Sequence, residues 1–280
     1  MPTMQLIKNE KSFILPYFET SGSGEKVVVF LHGYGANRRS WEDISPYLRA
    51  NLKPYYIDLI GFGKSPTPSD WPYTLEAQAK AVYNFLINEN FSEIILVGHS
   101  YGGGVAMLLT LMMKDMKHTL NISSLILINP AIYQQDFPYF ISLPRLPLLG
   151  PLLMACISPE YQVRTVLEGI FHNKEKVTKE RVDRYVDNIA IENNRNAMVE
   201  TAKHIVPKYY NDYITKIQTV NTQTLLIISD RDPVIVKENL IKLNQILPNI
   251  SLIEIANCGH VPQEEYPSLT AISINEFIGE

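Results

Sequence analysis

Cysteine is scarce in this sequence. Cys156 and Cys258 are the only two among 280 residues, too few for a disulfide framework or for a zinc site built from several thiolates. The sequence also has no glycine-rich phosphate-binding loop and no convincing cluster of metal-ligating residues. We therefore expect no cofactor and no metal, and we expect two buried, reduced thiols of the kind found in a reducing cytoplasm.

Long hydrophobic runs and an excess of basic charge are also missing. The most apolar stretch, residues 137–157, is broken by prolines and an arginine, whereas a membrane-spanning helix needs about 20 continuous apolar residues. Residues 1–11 lack the apolar core of a signal peptide. The net charge is −4, which gives no reason to expect nucleic acid as a partner. The sequence predicts a cytoplasmic protein without a membrane span, and it leaves the oligomeric state open.

Short β-rich runs alternate with longer helical patterns along most of the chain. The runs are nearly continuous apolar segments, which is typical of parallel strands buried on both faces. The strands are predicted at residues 27–31, 54–58, 93–97, 124–129, 224–228 and 250–256, and the helices at residues 75–88, 101–114, 237–247 and 267–277. Such alternation predicts an α/β fold with a doubly wound, mostly parallel sheet.

One interval breaks the alternation. Residues 132–217 contain no convincing strand, but they contain prolines, aromatic residues and helical patterns such as 178–191. An interval of this length between two core strands predicts a helical cap, inserted after the strand that ends near Asn129. We therefore divide the chain into a core domain, residues 1–131 and 218–280, and a cap domain, residues 132–217. The apolar start of the cap suggests a binding site for an apolar group.

Directly after the strand at 93–97 comes the run Gly98-His99-Ser100-Tyr101-Gly102. It matches the pattern G-x-S-x-G, in which a serine lies on a sharp strand-to-helix turn with its hydroxyl exposed. Glycine suits both ends of the run because a Cβ there would clash with nearby backbone. The pattern is common by chance, but the strand before it and the helix after it favour Ser100 as a nucleophile. His99 and His32 are expected to shape the neighbouring loops.

A serine hydroxyl needs a base to take its proton, and the base needs an orienting acid. On sheets of this type the acid and the histidine follow the serine along the chain. Asp230 and Asp232 follow the strand at 224–228, and His260 follows the strand at 250–256. Both loops leave the carboxyl ends of strands, where open α/β sheets hold their sites. We predict His260 as the base and Asp232 as the acid, with Asp230, a typical turn former, as the alternative.

Acyl transfer also needs hydrogen-bond donors aimed at the oxygen that becomes negatively charged. The first candidate is the backbone N–H of Tyr101, which follows the serine at the start of a helix. The second is the backbone N–H of Tyr34, in the loop after the strand at 27–31, where Gly33 and Gly35 permit close approach. Both tyrosines are predicted to act through the backbone, as an oxyanion hole.

Taken together, these motifs resemble the α/β-hydrolase fold superfamily, in its lid-bearing branch of esterases, carbon–carbon bond hydrolases, enol-lactonases, epoxide hydrolases and haloalkane dehalogenases. The resemblance covers nearly the whole chain in the family's order. It is carried by His32-Gly33, the stretch 58–65, the Ser100 turn, Asp232-Pro233 and Gly259-His260. It implies a serine hydrolase that cleaves small carboxylic esters through an acyl-enzyme, with Ser100, Asp232 and His260 as its catalytic triad.

Two departures from the family's patterns narrow the expected reaction. Epoxide hydrolases and haloalkane dehalogenases of this branch use an aspartate nucleophile, and the serine at position 100 excludes both. Carbon–carbon bond hydrolases typically carry an aromatic residue after the catalytic histidine, where this chain has Val261, which disfavours that reaction. The alternatives that remain are a carbon–carbon bond hydrolase for vinylogous diketone acids, an acyl transferase or thioesterase, and a non-enzymatic ligand receptor.

Overall fold

The computed structural model describes residues 14–114, 120–143, 145–146 and 156–279. Within these residues, seven strands form one sheet in the order β1-β3-β2-β4-β5-β6-β7. The strands are β1 (Tyr17–Thr20), β2 (Lys26–Leu31), β3 (Leu52–Asp58), β4 (Glu93–His99), β5 (Asn121–Ile128), β6 (Gln223–Ser229) and β7 (Ile250–Ile255). All pairings are parallel except that of β1 with β3. The predicted α/β fold with a mostly parallel sheet is confirmed.

Ten α-helices lie within the described residues. They are α1 (Leu75–Asn88), α2 (Tyr101–Lys114), α3 (Tyr139–Ser142), α4 (Pro159–Ile170), α5 (Lys179–Ala190), α6 (Glu192–Lys203), α7 (Tyr210–Ile217), α8 (Lys237–Ile246), α9 (Pro262–Glu265) and α10 (Pro267–Ile278). Three short 3₁₀ helices occur at Arg38–Trp41, Ser45–Tyr47 and Lys174–Lys176. Thr74 is the N-cap of α1, because its hydroxyl accepts a hydrogen bond from Ala77 N at 3.1 Å.

Helices cover both faces of the sheet, which explains why the strands are apolar throughout. Successive side chains of a strand point to opposite faces. Val29 of β2 therefore packs in the core that includes α1 and α2. Phe30 packs in a second core with Trp41 and with Ala271 of α10.

Between β5 and β6 the described residues contain five helices, α3 to α7, and no strand. The hydroxyl of Thr178 caps α5 by accepting from Arg181 N at 3.2 Å. Residues 147–155, the most apolar part of the interval that we predict to be a cap, lie outside the described residues. No helix within the described residues is long and apolar enough to cross a membrane.

The prediction of two buried thiols was wrong for one of them. Cys258 is buried, but Cys156 is exposed, because the bend at Ile157 separates it from α4 and no neighbouring element of the described residues covers its side chain. Both cysteines are free.

Four neighbouring strands point their carboxyl ends at the same edge of the sheet. Ser100 follows β4, Asn129 follows β5, Asp232 lies in the loop after β6 and His260 lies in the loop after β7. The loop after β2, which carries Tyr34, lies on the other side of β4. The strand order therefore brings residues from distant parts of the chain to one place.

Candidate active site

Ser100 occupies the sharp turn between β4 and α2. Its φ of +52° lies in the left-handed region, which L-residues rarely adopt. Its N–H donates to the Ile128 carbonyl at 2.9 Å, and its carbonyl accepts from the N–H groups of Ala131 at 2.9 Å and Gly104 at 3.2 Å. These bonds to the end of β5, to the loop after it and to α2 hold the strained backbone in place.

The glycines around the serine let two backbones approach closely. A Cβ on Gly102 would collide with the carbonyl oxygens of Leu31 and His32, and a Cβ on Gly98 would collide with the Gly102 carbonyl group. The crowding that the G-x-S-x-G pattern predicts is present in the structure.

Asp232 and His260 meet beyond the ends of β6 and β7. Oδ2 of Asp232 lies 2.8 Å from Nδ1 of His260, and Oδ1 accepts from the N–H groups of Val234 at 2.7 Å and Ile235 at 3.1 Å. The side chains of His260 and Asp232 are only 6% and 3% exposed. Because a carboxylate can only accept, Nδ1 of the neutral imidazole carries the proton, and Nε2 is the basic nitrogen.

The alternative acid, Asp230, lies in a different place. Its Oδ1 accepts from Cys258 N at 3.2 Å, and its Oδ2 lies 3.5 Å from Nε of Arg231. Asp230 therefore supports the loop that leads to His260. Of the two candidate acids, the structure places Asp232 beside the imidazole.

Two side chains hold the carbonyl oxygen of His260. Nε2 of His99 lies 2.9 Å from that oxygen, and Nδ2 of Asn129 donates to it at 3.0 Å. Asn129 also accepts from Ser229 N at 3.0 Å. Burial holds the pKa of His99 well below its ordinary value, so the ring stays neutral and donates from Nε2. The sequence motifs assign no role to Asn129. The feature that could have indicated one is an asparagine at the end of a buried strand, because asparagine tolerates the φ of +40° found there.

The loop after β2 is fixed from two sides. The buried His32 accepts from Leu59 N at Nε2 (3.0 Å) and donates from Nδ1 to the Gly33 carbonyl (2.8 Å). Burial lowers the pKa of His32, so the neutral ring supplies one donor and one acceptor. On the far side, the Tyr34 hydroxyl donates to the Met198 carbonyl of α6 at 3.1 Å. As expected from the sequence, His32 and His99 both shape loops of the site.

The two backbone N–H groups that we predict as oxyanion donors lie on either side of the serine. Tyr101 follows Ser100 at the positive end of α2. Gly33, next to Tyr34, lies so close that an added Cβ would come within 3.3 Å of the Ser100 Cβ. Within the described part of the chain, neither Tyr34 N nor Tyr101 N has a hydrogen-bond acceptor.

Ser100, His260 and Tyr34 line one cavity of about 280 Å³. Most of its other walls come from the interval between β5 and β6. The apolar wall residues there include Phe140, Ile141, Leu143, Val163, Val166, Leu167, Ile170, Ile189 and Met198. Among the described residues, no Asp, Glu, Lys or Arg lines the cavity. Because burying an unpaired charge is costly, the cavity suits an uncharged, apolar group.

A buried charge cluster joins α5 to α9. Nε of Arg181 lies 3.1 Å from Oε2 of Glu264, and the Tyr185 hydroxyl donates to the other oxygen of that carboxyl. Arg181 and Arg184 also pair with Asp43. Burial raises the pKa of Glu264 to about 7, against the opposing effect of Arg181. Since Tyr185 lines the cavity, the cluster fixes part of the cavity wall.

Asn188 makes a second connection from α5. This buried side chain donates from Nδ2 to the carbonyls of Ala36 at 2.7 Å and Gly35 at 3.0 Å. Its Oδ1 accepts from Gly63 N at 2.8 Å. Asn188 therefore holds the loop that carries Tyr34. Within the described residues, no three His, Cys, Asp or Glu side chains are grouped so as to hold a metal ion.

A family model described as alpha/beta hydrolase fold matches residues 26–267. This span begins with β2 and includes Ser100, Asp232 and His260. The chain belongs to the α/β hydrolase family. Membership confirms the family that the sequence motifs indicated, and it makes the protein a hydrolase of that family.

Among curated relatives of this α/β hydrolase is the uncharacterized hydrolase YugF of Bacillus subtilis (strain 168). It is 26% identical over 263 residues, which cover 94% of this chain and 93% of that protein. Lipase 1 of Psychrobacter immobilis is 24% identical, over 93% of this chain and 79% of the lipase. Both of these relatives therefore match along most of their length.

Solved structures of similar fold include a thermophilic esterase from Thermogutta terrifontis, with a TM-score of 0.76, 19% identity, and coverage of 94% of this chain and 92% of that one. A meta-cleavage product hydrolase from Pseudomonas fluorescens IP01 has a TM-score of 0.75, 17% identity, and coverage of 94% and 95%. At these identities the likenesses show the fold alone.

Proposed function

We propose that this α/β hydrolase is a serine esterase that cleaves small carboxylic esters through an acyl-enzyme. The proposal is carried by the 2.8 Å contact between Asp232 and His260, at a cavity that His260 shares with Ser100. The Ser100 hydroxyl attacks the ester carbonyl while Nε2 of His260 takes its proton. Asp232 orients the imidazole and stabilises its positive charge.

The remaining steps conserve the proton and restore the serine. His260 delivers the proton to the leaving alcohol, and the acyl group stays on Ser100. Water then loses a proton to His260 and attacks the acyl-enzyme, which releases the carboxylic acid and returns the proton to the serine. The N–H groups of Tyr34 and Tyr101 stabilise the oxyanion both when the acyl-enzyme forms and when water cleaves it. In a comparable enzyme, the removal of one such donor raises the activation free energy by about 2.7–4 kcal/mol.

The proposed substrate carries an apolar, uncharged acyl or alcohol group. A cavity of about 150 Å³ holds benzene, and the cavity beside Ser100 measures about 280 Å³, so it has room for an apolar group at least as large as benzene. We assign residues 132–217 the role of the cap, because α3 to α6 supply most of the apolar wall residues.

The cavity wall also weighs against the main alternative. A vinylogous diketone acid carries a carboxylate, but no lysine or arginine of the described residues lines the cavity. An unpaired carboxylate there would be costly to bury. An acyl transferase or thioesterase would share the acyl-enzyme and differ in its acceptor or leaving group, and a receptor would bind without turnover.

The test of the esterase proposal is Ser100→Ala, assayed with a panel of p-nitrophenyl esters. We expect turnover to fall by about 10⁴-fold or more, because the nucleophile is gone. The control is Ser40→Ala, which removes another buried serine hydroxyl, outside the cavity lining; its turnover should match the wild type.

Two further readouts separate the alternatives. A fluorophosphonate probe should label the wild type and Ser40→Ala but not Ser100→Ala, and a wild type that cannot be labelled favours the receptor. A higher kcat/KM for a ring-fission dienoate than for every ester would replace the esterase with a carbon–carbon bond hydrolase. Near wild-type turnover by Ser100→Ala would overturn the serine mechanism.

We also propose a cytoplasmic location, because an exposed free thiol at Cys156 persists more readily in a reducing compartment. Cell fractionation with an antibody to the protein tests this proposal. Recovery in an exported fraction would contradict it.

A further inference from the structure

Glu265 of α9 is a buried acid that the proposed mechanism does not use. It is only 1% exposed and lies outside the cavity lining. Its Oε2 accepts from Gly259 N at 3.1 Å and His172 N at 2.9 Å, and its Oε1 accepts from Asn173 N at 3.2 Å. One carboxylate therefore binds the backbone of two segments, the loop that carries His260 and the segment that follows α4.

The same two segments also touch each other directly. His260 N donates to the Ile170 carbonyl at 2.8 Å. A Cβ on Gly259 would collide with that carbonyl oxygen and lie 2.8 Å from Oε2 of Glu265. Glycine at position 259 permits this close approach, which sets the backbone of His260 against the end of α4.

Contacts on the other side of His260 complete its support. His99 and Asn129 hold its carbonyl oxygen, and Asp232 holds Nδ1. Glu265 supports the N-terminal side of the same residue, through the backbone of Gly259. A displacement of about 1 Å in a catalytic group can reduce the rate by about 10²-fold, so the position of His260 matters for the proposed reaction.

We propose that Glu265 is a positioning residue for the esterase reaction. Its carboxylate holds the His260 loop against the segment after α4, so that the imidazole faces Ser100 in the cavity that α4 lines. The proposal rests on the proposed function of Ser100 and His260. Glu265 acts through backbone groups and touches neither the substrate nor the reacting atoms.

The test compares Glu265→Gln with the wild type in steady-state ester hydrolysis. Three backbone N–H groups depend on the two oxygens of Glu265. The amide keeps one acceptor oxygen, turns an NH₂ group toward at least one of these donors and removes the negative charge that they share, so the two segments move apart. We expect kcat to fall about 10- to 100-fold per folded molecule, while KM stays within about twofold, because the cavity wall is kept. The folded fraction is measured by circular dichroism and thermal melting.

Glu76→Gln is the matched control. It undergoes the same chemical change, and its Oε1 also accepts from a backbone N–H group, that of Lys208 at 2.8 Å, but Glu76 lies in α1 and outside the cavity lining. A change in the stability of this variant does not bear on the test. Its kcat per folded molecule should stay within about twofold of the wild type. A loss of kcat as large as that of Glu265→Gln would reduce Glu265 to a general structural role and overturn the proposal.

Two other results would also count against the proposal. One is a folded Glu265→Gln that keeps the wild-type kcat. If that variant does not fold, Glu265→Asp replaces it: the charge stays but the reach is one methylene shorter, and an undiminished kcat contradicts the proposal. Failure of the esterase proposal itself is distinguishable, because the wild type would then show no ester turnover that Ser100→Ala abolishes, whereas that loss remains if only the role of Glu265 is wrong.

Discussion

At the scale of single residues, Asp230 and Asp232 offer a sharp test because they are two positions apart. Asp232→Asn should lower kcat for esters by up to about 10⁴-fold, the loss seen when a comparable triad acid becomes an amide that favours the wrong histidine tautomer. Asp230→Asn is the control, and its kcat should stay within about tenfold, because the amide oxygen can still accept from Cys258 N. Steady-state kinetics of both variants measure these changes. An equal loss of kcat in the two variants would contradict the assignment of Asp232 as the acid of the triad.

The residues that could be predicted from the sequence are those with a local pattern. Ser100 lies in a five-residue motif, and the two glycines of that motif indicate a close approach of backbones. Asp232 and His260 follow strands that the apolar runs predict. The supporting residues have no such pattern. Asn129 reaches His260 across 131 positions and Glu265 reaches His172 across 93, so their roles appear only when the sheet has brought the segments together.

At the scale of elements, Asn188 connects α5 to the loop after β2. Asn188→Ala leaves the carbonyls of Gly35 and Ala36 and the Gly63 N–H without this partner. Since a buried unpaired polar group costs about 1–3 kcal/mol, we expect the free energy of unfolding to fall by about 2–4 kcal/mol in urea denaturation.

The control for that measurement is Asn193→Ala, an exposed asparagine in α6. Because the side chain is exposed and alanine is compatible with a helix, the free energy of unfolding should change by less than about 0.5 kcal/mol. If Asn188→Ala is as stable as this control, the hydrogen bonds of Asn188 contribute nothing to the attachment of α5.

The sequence predicts long, strongly patterned elements better than short ones. The strands after β1 and helices such as α1 and α2 lie within a few residues of their predicted positions. In contrast, β1 (Tyr17–Thr20) and α9 (Pro262–Glu265) were not predicted. Each has only four residues, and β1 is only partly buried, so neither shows a hydrophobic period. The division into core and cap at residues 132–217 stays a prediction.

At the scale of the whole molecule, Glu264 makes stability depend on pH. Its folded pKa of about 7 lies above the ordinary value of 4.5, so the folded state holds the proton more tightly than the unfolded state. Its contribution therefore falls as pH rises from 4.5 to about 7, by something on the order of 3 kcal/mol. His32 and His99 act in the opposite direction, because their lowered pKa values cost stability as pH falls below 6.5.

The contribution of Glu264 is isolated by comparing Glu264→Gln with the wild type. The variant lacks the titration, so its stability relative to the wild type should rise between about pH 5 and about pH 7.5. Urea denaturation at the two pH values measures the difference. A difference that stays flat, or that falls with rising pH, would show that burial does not raise this pKa.

The adjacency of β5 and β6 in the sheet has a consequence for how this protein can diversify. Residues 129–222 form the connection between these two strands. The entropic free energy of closing such a connection rises by only about 0.6 kcal/mol for each doubling of its length, so the sheet tolerates insertions and exchanges there. Glu265 binds this connection through the backbone N–H groups of His172 and Asn173. Every residue except proline supplies such a group. We therefore expect that an exchange of residues 132–217 would change the wall of the cavity while Ser100, Asp232, His260 and Glu265 stay in place.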